Sequence, residues 1–247
     1  MKNIKTVFVA CLAFLPLAVF AQGGPPLVTD DPETPGAGKW EINHGIILQR
    51  TTGRLEVAAP DIDLNYGWGE RTQLKLDIPW VFARESGERW KSGLGRGDVG
   101  VKYRFIDEDD AGYSMSTYPQ FTWNILPSSA RRGITDDTRE FLLPIEWAKK
   151  FGDTGLGLEV GRNFVRHGTS EWVAGAIVAP KCSEKIECLI ELHEVFAPHE
   201  HTTLVNLGMR WKLSESATLL AAVGREFGTN SDELRRPLLY LGVQVVR

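Results

Sequence analysis

Three of the five histidines lie close together in the sequence, and metals favour imidazole as a ligand. His193, His199 and His201 stand among the acidic residues Glu191, Glu194 and Glu200. Imidazole together with carboxylate suits zinc or copper. An alternating strand would point His193 to one face, whereas His199 and His201 fall in a predicted loop, and the spacing is not that of a compact ligand set. We therefore treat these histidines as weak metal candidates, favour a solvated loop, and predict neither a metal site nor a cofactor.

A hydroxyl and an imidazole that could form a nucleophile–base pair lie three residues apart, in His167 and Ser170. Hydrolysis by such a pair needs a third polar group that orients the imidazole. Both residues fall in a predicted loop, and no acidic residue next to them is placed to do this. The sequence also has no glycine-rich phosphate loop in a strand–turn–helix setting. We therefore predict that the protein is not an enzyme.

Two cysteines, Cys182 and Cys188, flank a predicted tight turn in the segment Cys-Ser-Glu-Lys-Ile-Glu-Cys. Two cysteines at this spacing cannot form a zinc site, which needs about four ligands. Across a hairpin in an oxidising compartment they can form a disulfide. A disulfide and two unpaired thiols both remain open at this point.

The N-terminus has the three parts of a secretory signal peptide. Lys2 and Lys5 precede an apolar stretch over residues 6–20, and Val19 and Ala21 are small residues at the positions required for cleavage. We predict a signal peptide over residues 1–21. The chain carries 28 basic and 32 acidic residues, and removal of this leader makes it more acidic. An acidic chain does not fit a nucleic-acid partner.

From residue 39 onward the apolar residues alternate with polar ones and show no sustained helical period. In the clearest case, Leu74, Leu76 and Ile78 fall on one face, whereas Lys75 and Asp77 fall on the other. This period of two is typical of β-strands. The pattern predicts an all-β chain of about twelve strands, over residues 39–50, 54–66, 71–83, 97–106, 112–125, 139–150, 155–166, 171–181, 186–196, 202–213, 217–227 and 237–247.

The predicted connections alternate between short and long, and the aromatic residues collect near strand ends. Tight polar turns alternate with longer links over residues 84–96, 126–138, 167–170, 197–201 and 228–236. Two groups of aromatic side chains, Trp40 and Tyr66 at one level and Trp80 and Trp172 at the other, would flank an aliphatic band. These features are typical of a transmembrane antiparallel up-and-down β-barrel with aromatic girdles at both membrane interfaces.

The polar face of the strands would line the interior of such a barrel. It carries acidic and basic side chains together, so they can pair across a narrow lumen. We predict that the lumen is lined by Glu41, Asp63, Lys75, Asp77, Lys102, Arg104, Glu159, Glu191 and His193.

A segment rich in proline and glycine, residues 22–38, precedes the first predicted strand. It contains Asp30-Asp31-Pro32, which favours a turn that starts the barrel; a short plug folded into the lumen is the alternative. The predicted organisation is therefore a signal peptide over residues 1–21, a periplasmic N-terminal segment over residues 22–38, and a barrel over residues 39–247.

The segment over residues 27–41, which includes Thr-Asp-Asp-Pro, resembles the start of the MetA-pathway family of phenol degradation. The resemblance continues in residues 65–67, in the Gly-Arg-Gly-Asp-Val-Gly-Val-Lys-Tyr-Arg-Phe segment over residues 95–105, and in residues 240–243. It covers essentially the whole mature chain. The resemblance implies an outer-membrane barrel that passes small molecules, aromatic ones among them, and it implies no catalytic residues.

We therefore expect an outer-membrane barrel of Gram-negative type, with both chain ends in the periplasm, that allows passage or uptake of small solutes. The alternative is a non-conducting barrel that has a structural role or binds a partner. The expected partners are membrane lipid, lipopolysaccharide, a small-molecule solute and the barrel-assembly machinery. The arginine pairs at residues 131–132 and 235–236 are candidates for contact with lipopolysaccharide.

Overall fold

The computed structural model describes residues 24–229 and 231–247, and the predicted signal peptide lies outside them. The described chain forms fourteen β-segments and two short helices. The segments are β1 (Trp40–Thr51), β2 (Arg54–Gly67), β3 (Thr72–Glu85), β4 (Lys91–Leu94), β5 (Arg96–Ile106), β6 (Ser114–Thr117), β7 (Gln120–Asn124), β8 (Glu140–Phe151), β9 (Thr154–Val165), β10 (Glu171–Pro180), β11 (Ile186–Ala197), β12 (Glu200–Lys212), β13 (Ala217–Gly228) and β14 (Leu238–Val246). The helices are α1 (Glu108–Ala111) and α2 (Pro127–Arg131). Neither described helix is long and apolar enough to cross a membrane.

The segments form one closed antiparallel barrel of twelve strands, which confirms the predicted fold class. Each strand pairs with its neighbours in the chain, and β1 pairs with β14 to close the ring. β4 and β5 are successive pieces of one barrel strand, since both pair with β3. β6 and β7 are likewise pieces of one strand, since both pair with β5 and β8.

The two faces of the wall differ in chemistry, as the alternating sequence predicts. Apolar side chains point outward, and Val160 and Leu241 expose more than half of their surface there. Polar and charged side chains point inward and are buried, among them Lys102, Glu159 and Glu191. An apolar exterior around a polar interior is the arrangement of a transmembrane barrel.

The strands extend further than predicted at the end of the barrel opposite the chain termini. The predicted link over residues 84–96 shortens to residues 86–90, because β3 continues to Glu85 and β4 adds a strand piece. The link over residues 197–201 shortens to residues 198–199. We call this end of the barrel the loop end, and the end where Trp40 pairs with Arg247 the terminal end.

The longest connection at the loop end, residues 125–139, folds against the inner face of the wall. Its Ile134 is fully buried and packs on Val81 and Ala83, which point inward from β3. Arg54 on β2 donates hydrogen bonds to the main-chain oxygens of Gly133, at 3.1 Å, and Ile134, at 2.6 Å. The loop thereby covers part of the barrel interior at the loop end.

Candidate functional site

Side-chain hydrogen bonds link the inward faces of β1, β2 and β3. Asn43 and Asn65 each donate from Nδ2 to Asp63 Oδ2 at 3.0 Å, and Gln73 Nε2 donates to Asn65 Oδ1 at 2.7 Å. The register places Asn43 opposite Asp63, so alternation alone brings them to the same face. The interior is therefore a polar network and not an aliphatic core.

Lys102 on β5 is the centre of the charged interior near the terminal end. Its side chain is 2% exposed, and Nζ lies 2.8 Å from Asp30 Oδ1 and 3.7 Å from Glu146 Oε2. Nζ also donates to the main-chain oxygen of Asp31 and lies 4.6 Å from the centre of the Tyr118 ring. Burial of an ammonium group is costly unless it is paired. Lys102 therefore requires the contacts that residues 30 and 31 supply.

Two further strands hold the segment that contains Asp30. Glu191 on β11 accepts hydrogen bonds from the main-chain N–H groups of Val28, at 3.0 Å, and Thr29, at 2.5 Å. Glu159 on β9 accepts one from the N–H of Asp30 at 3.0 Å. Since β5, β9 and β11 are separate positions around the ring, residues 24–38 bridge the interior of the barrel.

Glycines in the wall make room for this segment at two places. A Cβ atom at Gly175 on β10 would collide with the side chain of Thr29. A Cβ atom at Gly67, at the end of β2, would collide with the main-chain oxygen of Gly36. Any larger residue at either position would have to displace the segment.

The two adjacent aspartates of the segment have opposite pKa shifts. Burial raises the pKa of Asp31 to about 8, although the nearby Lys102 opposes this shift. Burial also acts to raise the pKa of Asp30, but the charge and hydrogen bond of Lys102 outweigh it and leave the pKa below its usual value. Burial raises the pKa of Glu33, against the attraction of Arg104. Lys102 therefore stabilises the ionised form of Asp30, whereas burial favours the protonated forms of Asp31 and Glu33.

A cavity of about 940 Å³ occupies the interior between this segment and the loop end. Charged side chains of β2, β3 and β5 line one wall, and the rest is lined by polar side chains together with the apolar Ile47, Leu142, Val173 and Leu238. A volume near the upper end of the usual range for ligand pockets accommodates a small organic molecule.

Four carboxylates of the cavity wall surround one ammonium group. Asp61 and Asp63 on β2, Asp77 on β3 and Asp98 on β5 line the cavity together with Lys75. Among the described residues, one buried oxygen each of Asp63, Asp77 and Asp98 has no hydrogen-bond partner. This part of the wall therefore has more negative charge than its single lysine can balance.

The three arginines of the cavity wall are already paired, and Arg235 donates to Glu226 at 2.6 Å. Arg54 lies 2.6 Å from Glu85, and Arg96 lies 2.5 Å from Glu140. The Lys75 ammonium donates to Gln120 Oε1 at 3.2 Å. Among the described residues, these arginines make no ion pair with the four carboxylates around Lys75.

The structure places the nine residues predicted to line the lumen in two main groups. Lys102, Glu159, Glu191 and His193 contact the N-terminal segment, and Arg104 contacts it through Glu33 at 2.8 Å, near the terminal end. Asp63, Lys75 and Asp77 line the cavity, and Glu41 lies beside Asn43 below it.

The three histidines are not brought together. The ring of His193 is buried and lies 3.2 Å from Thr29 Oγ1. His201 was expected in a loop, but it belongs to β12, where its exposed ring stacks on Phe196. His199 lies in the two-residue turn before β12 with a positive φ of 73°. No group of three potential metal-ligating side chains occurs among the described residues.

His167 and Ser170 contact different neighbours. Arg166 Nε donates to His167 Nε2 at 3.1 Å, and Ser170 Oγ accepts a hydrogen bond from the N–H of Val165 at 3.4 Å. The geometry therefore does not join them as a nucleophile and its base.

Cys182 and Cys188 form a disulfide with a Cα–Cα distance of 5.7 Å. It spans the turn between β10 and β11 at the terminal end. The choice that the sequence left open between a disulfide and two thiols thus resolves to the disulfide.

Several interior residues were not predicted to line the lumen, although they belong to the same alternating polar face. Asp98 lies four residues before Lys102 on β5 and shares its face, and Glu146 occupies an inward position of β8. Arg210 on β12 lies 3.3 Å from Glu187 and donates to the main-chain oxygen of Pro25 at 3.2 Å. Extending the period of two along each strand would have found all three.

Solved outer-membrane barrels resemble this structure closely in fold and weakly in sequence. An outer membrane channel of the COG4313 group from Pseudomonas putida F1 matches with a TM-score of 0.70 and 12% identity, over 88% of this chain and 98% of that one. The KdgM porin matches with a TM-score of 0.60 and 10% identity, and the NanC porin with 0.57 and 9%; each match covers 83% of this chain and 98% of the other. No family model and no curated protein matches the sequence. The chain thus has the fold of outer-membrane channels and porins.

Proposed function

We propose that this barrel lets small solutes cross the outer membrane through its lumen. The observation that carries the proposal is the cavity of about 940 Å³ inside a closed barrel, with charged side chains on its wall. Similarity in fold to channels and porins supports it. Selectivity would come from the width of the lumen and from the charges on its wall.

The proposal includes export and insertion in a Gram-negative-type outer membrane. The signal peptide predicted for residues 1–21 would direct export, and the barrel-assembly machinery would insert the mature chain. The terminal end would face the periplasm, and the loop end, with the arginine pair at residues 131–132, would face lipopolysaccharide. Apolar residues such as Val160 and Leu241, exposed around the outside, support contact with lipid.

We further propose that residues 22–38 act as a plug that narrows the lumen toward the periplasm. The contacts of residues 28–31 with Lys102, Glu159 and Glu191 support this role, because they join three separate strands across the interior. Solute passage would then require the segment to move aside or leave a narrow path.

The sequence resemblance to the MetA-pathway family favours an aromatic or hydrophobic solute, and apolar residues in the cavity wall, such as Val173 and Leu238, support this. The KdgM porin has also been crystallised with oligogalacturonate, so a barrel of similar fold accommodates an organic solute.

Conductance across planar lipid bilayers tests the proposal directly. Purified, folded protein should give discrete current steps, and liposomes that contain it should swell in small sugars and amino acids. Folding is checked first by gel migration with and without boiling, because a folded barrel migrates differently from its heated form. Folded protein that gives neither current nor swelling would overturn solute passage.

A non-conducting barrel is the second candidate, because the plug fills the interior near the terminal end. Glu191→Gln separates the two, since it weakens the acceptor of two main-chain hydrogen bonds from the plug. Conductance should rise in this variant and stay unchanged in Glu215→Gln, which alters an exposed turn. Folded wild-type and Glu191→Gln proteins that are both silent would support the non-conducting barrel.

A further inference from the structure

The negative charge around Lys75 is incompletely balanced. Asp61, Asp63 and Asp77 line the cavity from the adjacent strands β2 and β3, and the register places Asp63 directly opposite Asp77. Asp63 is 6% exposed, and its Oδ1 has no partner among the described residues. Asp98 also has one buried oxygen without a partner. Carboxylates at such close quarters favour either a proton or a bound cation.

An ammonium group matches these unpartnered oxygens. It carries three N–H donors and a full positive charge. Hydrogen bonds between an ammonium and carboxylates are charge-assisted and about twice as strong as neutral ones. Because Asp63, Asp77 and Asp98 lie on neighbouring barrel strands and line the same cavity, one ligand can approach all three.

The cavity also has an apolar side. Val173 on β10 lies half a turn around the ring from β2 and is 7% exposed. Leu142 on β8, two strands from β10, lines the same cavity. An apolar group that displaces water from these side chains gains free energy in proportion to the area it covers. The two walls therefore suit a molecule with a charged end and an apolar end.

We propose that this cavity selects small organic cations with an apolar body, such as arylalkyl ammonium ions. The ammonium binds the carboxylates of Asp63, Asp77 and Asp98, and the apolar body lies toward Val173. The inference deepens the proposed solute passage, since it gives that pathway a substrate class.

Binding and passage are measured separately with three probes of similar size: benzylammonium, benzyl alcohol and benzoate. Isothermal titration calorimetry of the detergent-folded barrel gives the affinity for all three probes, and reversal potentials in planar bilayers give the relative permeability of the two ions, benzylammonium and benzoate. Benzylammonium should bind and permeate best, and benzoate should do both worst.

The charged wall is tested with the double variant Asp77→Asn/Asp98→Asn. Loss of two charge-assisted contacts should weaken benzylammonium binding by about tenfold or more. Asp109→Asn is the matched control, because Asp109 is exposed in α1 outside the cavity. The control should bind as wild type does.

The apolar wall is tested with Val173→Ser. This variant should lower the preference for benzylammonium over methylammonium by about threefold or more, because the aryl group loses an apolar contact. The permeability ratio of potassium to chloride should stay unchanged.

Benzoate that binds as well as benzylammonium, or an unchanged affinity in the double variant, would overturn the inference and leave solute passage standing. Benzylammonium binding without any current would support the site and contradict passage. The proposed substrate class and the proposed solute passage can therefore be disproved separately.

Discussion

Near the terminal end of the lumen, Lys102 lies 2.8 Å from Asp30 and 3.7 Å from Glu146. Toward the loop end, Lys75 lies among carboxylates of which several oxygens have no partner, and its ammonium donates to Gln120. The two lysines sit on adjacent barrel strands and point to the same interior. The difference is that the N-terminal segment supplies partners for Lys102, whereas a cavity lies beside Lys75. The half of the lumen with Lys102 is closed by a segment that pairs with its charge. The half with Lys75 stays open and has unbalanced negative charge.

The largest loss of stability is expected when the positive charge of Lys102, which pairs with the N-terminal segment, is removed. Lys102→Met leaves Asp30 and Glu146 buried without their cation, which typically costs about 3–5 kcal/mol. Denaturant unfolding followed by tryptophan fluorescence measures the loss. Lys185→Met, in an exposed turn, is the control. If both variants unfold at the same denaturant concentration, the closed half does not depend on this pairing.

A smaller loss of stability is expected when a steric clash displaces the N-terminal segment, residues 24–38. Gly175→Ala places a Cβ atom against Thr29, and overpacking of this kind costs about 1–3 kcal/mol. Conductance should rise, and the amides of residues 28–31 should exchange faster with deuterium. Gly157→Ala is the control, since its Cβ atom would lie 3.7 Å from Ile177, an ordinary contact. Equal exchange in the two variants would contradict a docked segment.

Docking of the segment should weaken as pH rises. The pKa of Asp31 is raised to about 8 in the docked state, so this state binds more protons than the released one between about pH 4 and pH 8. The raised pKa of Glu33 acts in the same direction. The lowered pKa of Asp30 removes stability only at lower pH, as the carboxylate becomes protonated.

Hydrogen-exchange protection factors of residues 28–31 and of Glu33 should therefore fall between pH 5 and pH 8. Asp31→Asn should flatten this dependence, because its amide does not titrate. A wild-type profile as flat as that of the variant would show that Asp31 does not govern docking.

A smaller loss of stability than that of Lys102→Met is expected in the open half. Lys75→Ala should lower the free energy of unfolding by less than Lys102→Met does, since no carboxylate lies within ion-pair distance of the Lys75 ammonium among the described residues. The permeability ratio of potassium to chloride should rise, because the wall becomes more acidic. Lys185→Ala should alter neither quantity. A large loss of stability in Lys75→Ala would make the two halves alike.

The strands were predictable because one physical constraint acts on every second residue. Lipid outside and a polar interior require alternation, and the alternation of Leu74 with Lys75 is visible without any knowledge of register. For the same reason Glu159 and Glu191 could be assigned to the polar face before their strand partners were known.

The contents of the lumen were less predictable, because they depend on contacts between residues far apart in the chain. Asp30 contacts Lys102 across 72 residues, and nothing in the local sequence indicates this pairing. Ile134 is buried against side chains of β3, although the sequence around it is typical of an exposed loop. His201 was misplaced because a strand continues through residues whose polarity is typical of a loop.

Arg54 holds the loop over residues 125–139 through the main-chain oxygens of Gly133 and Ile134. Because these hydrogen bonds are made to main-chain oxygens, they do not depend on the identity of most side chains in the loop. Exposed positions of this loop, such as Arg131, can therefore be exchanged to reshape the mouth of the barrel while its anchorage stays intact. The same property would let such a mouth diversify during evolution at little cost to folding.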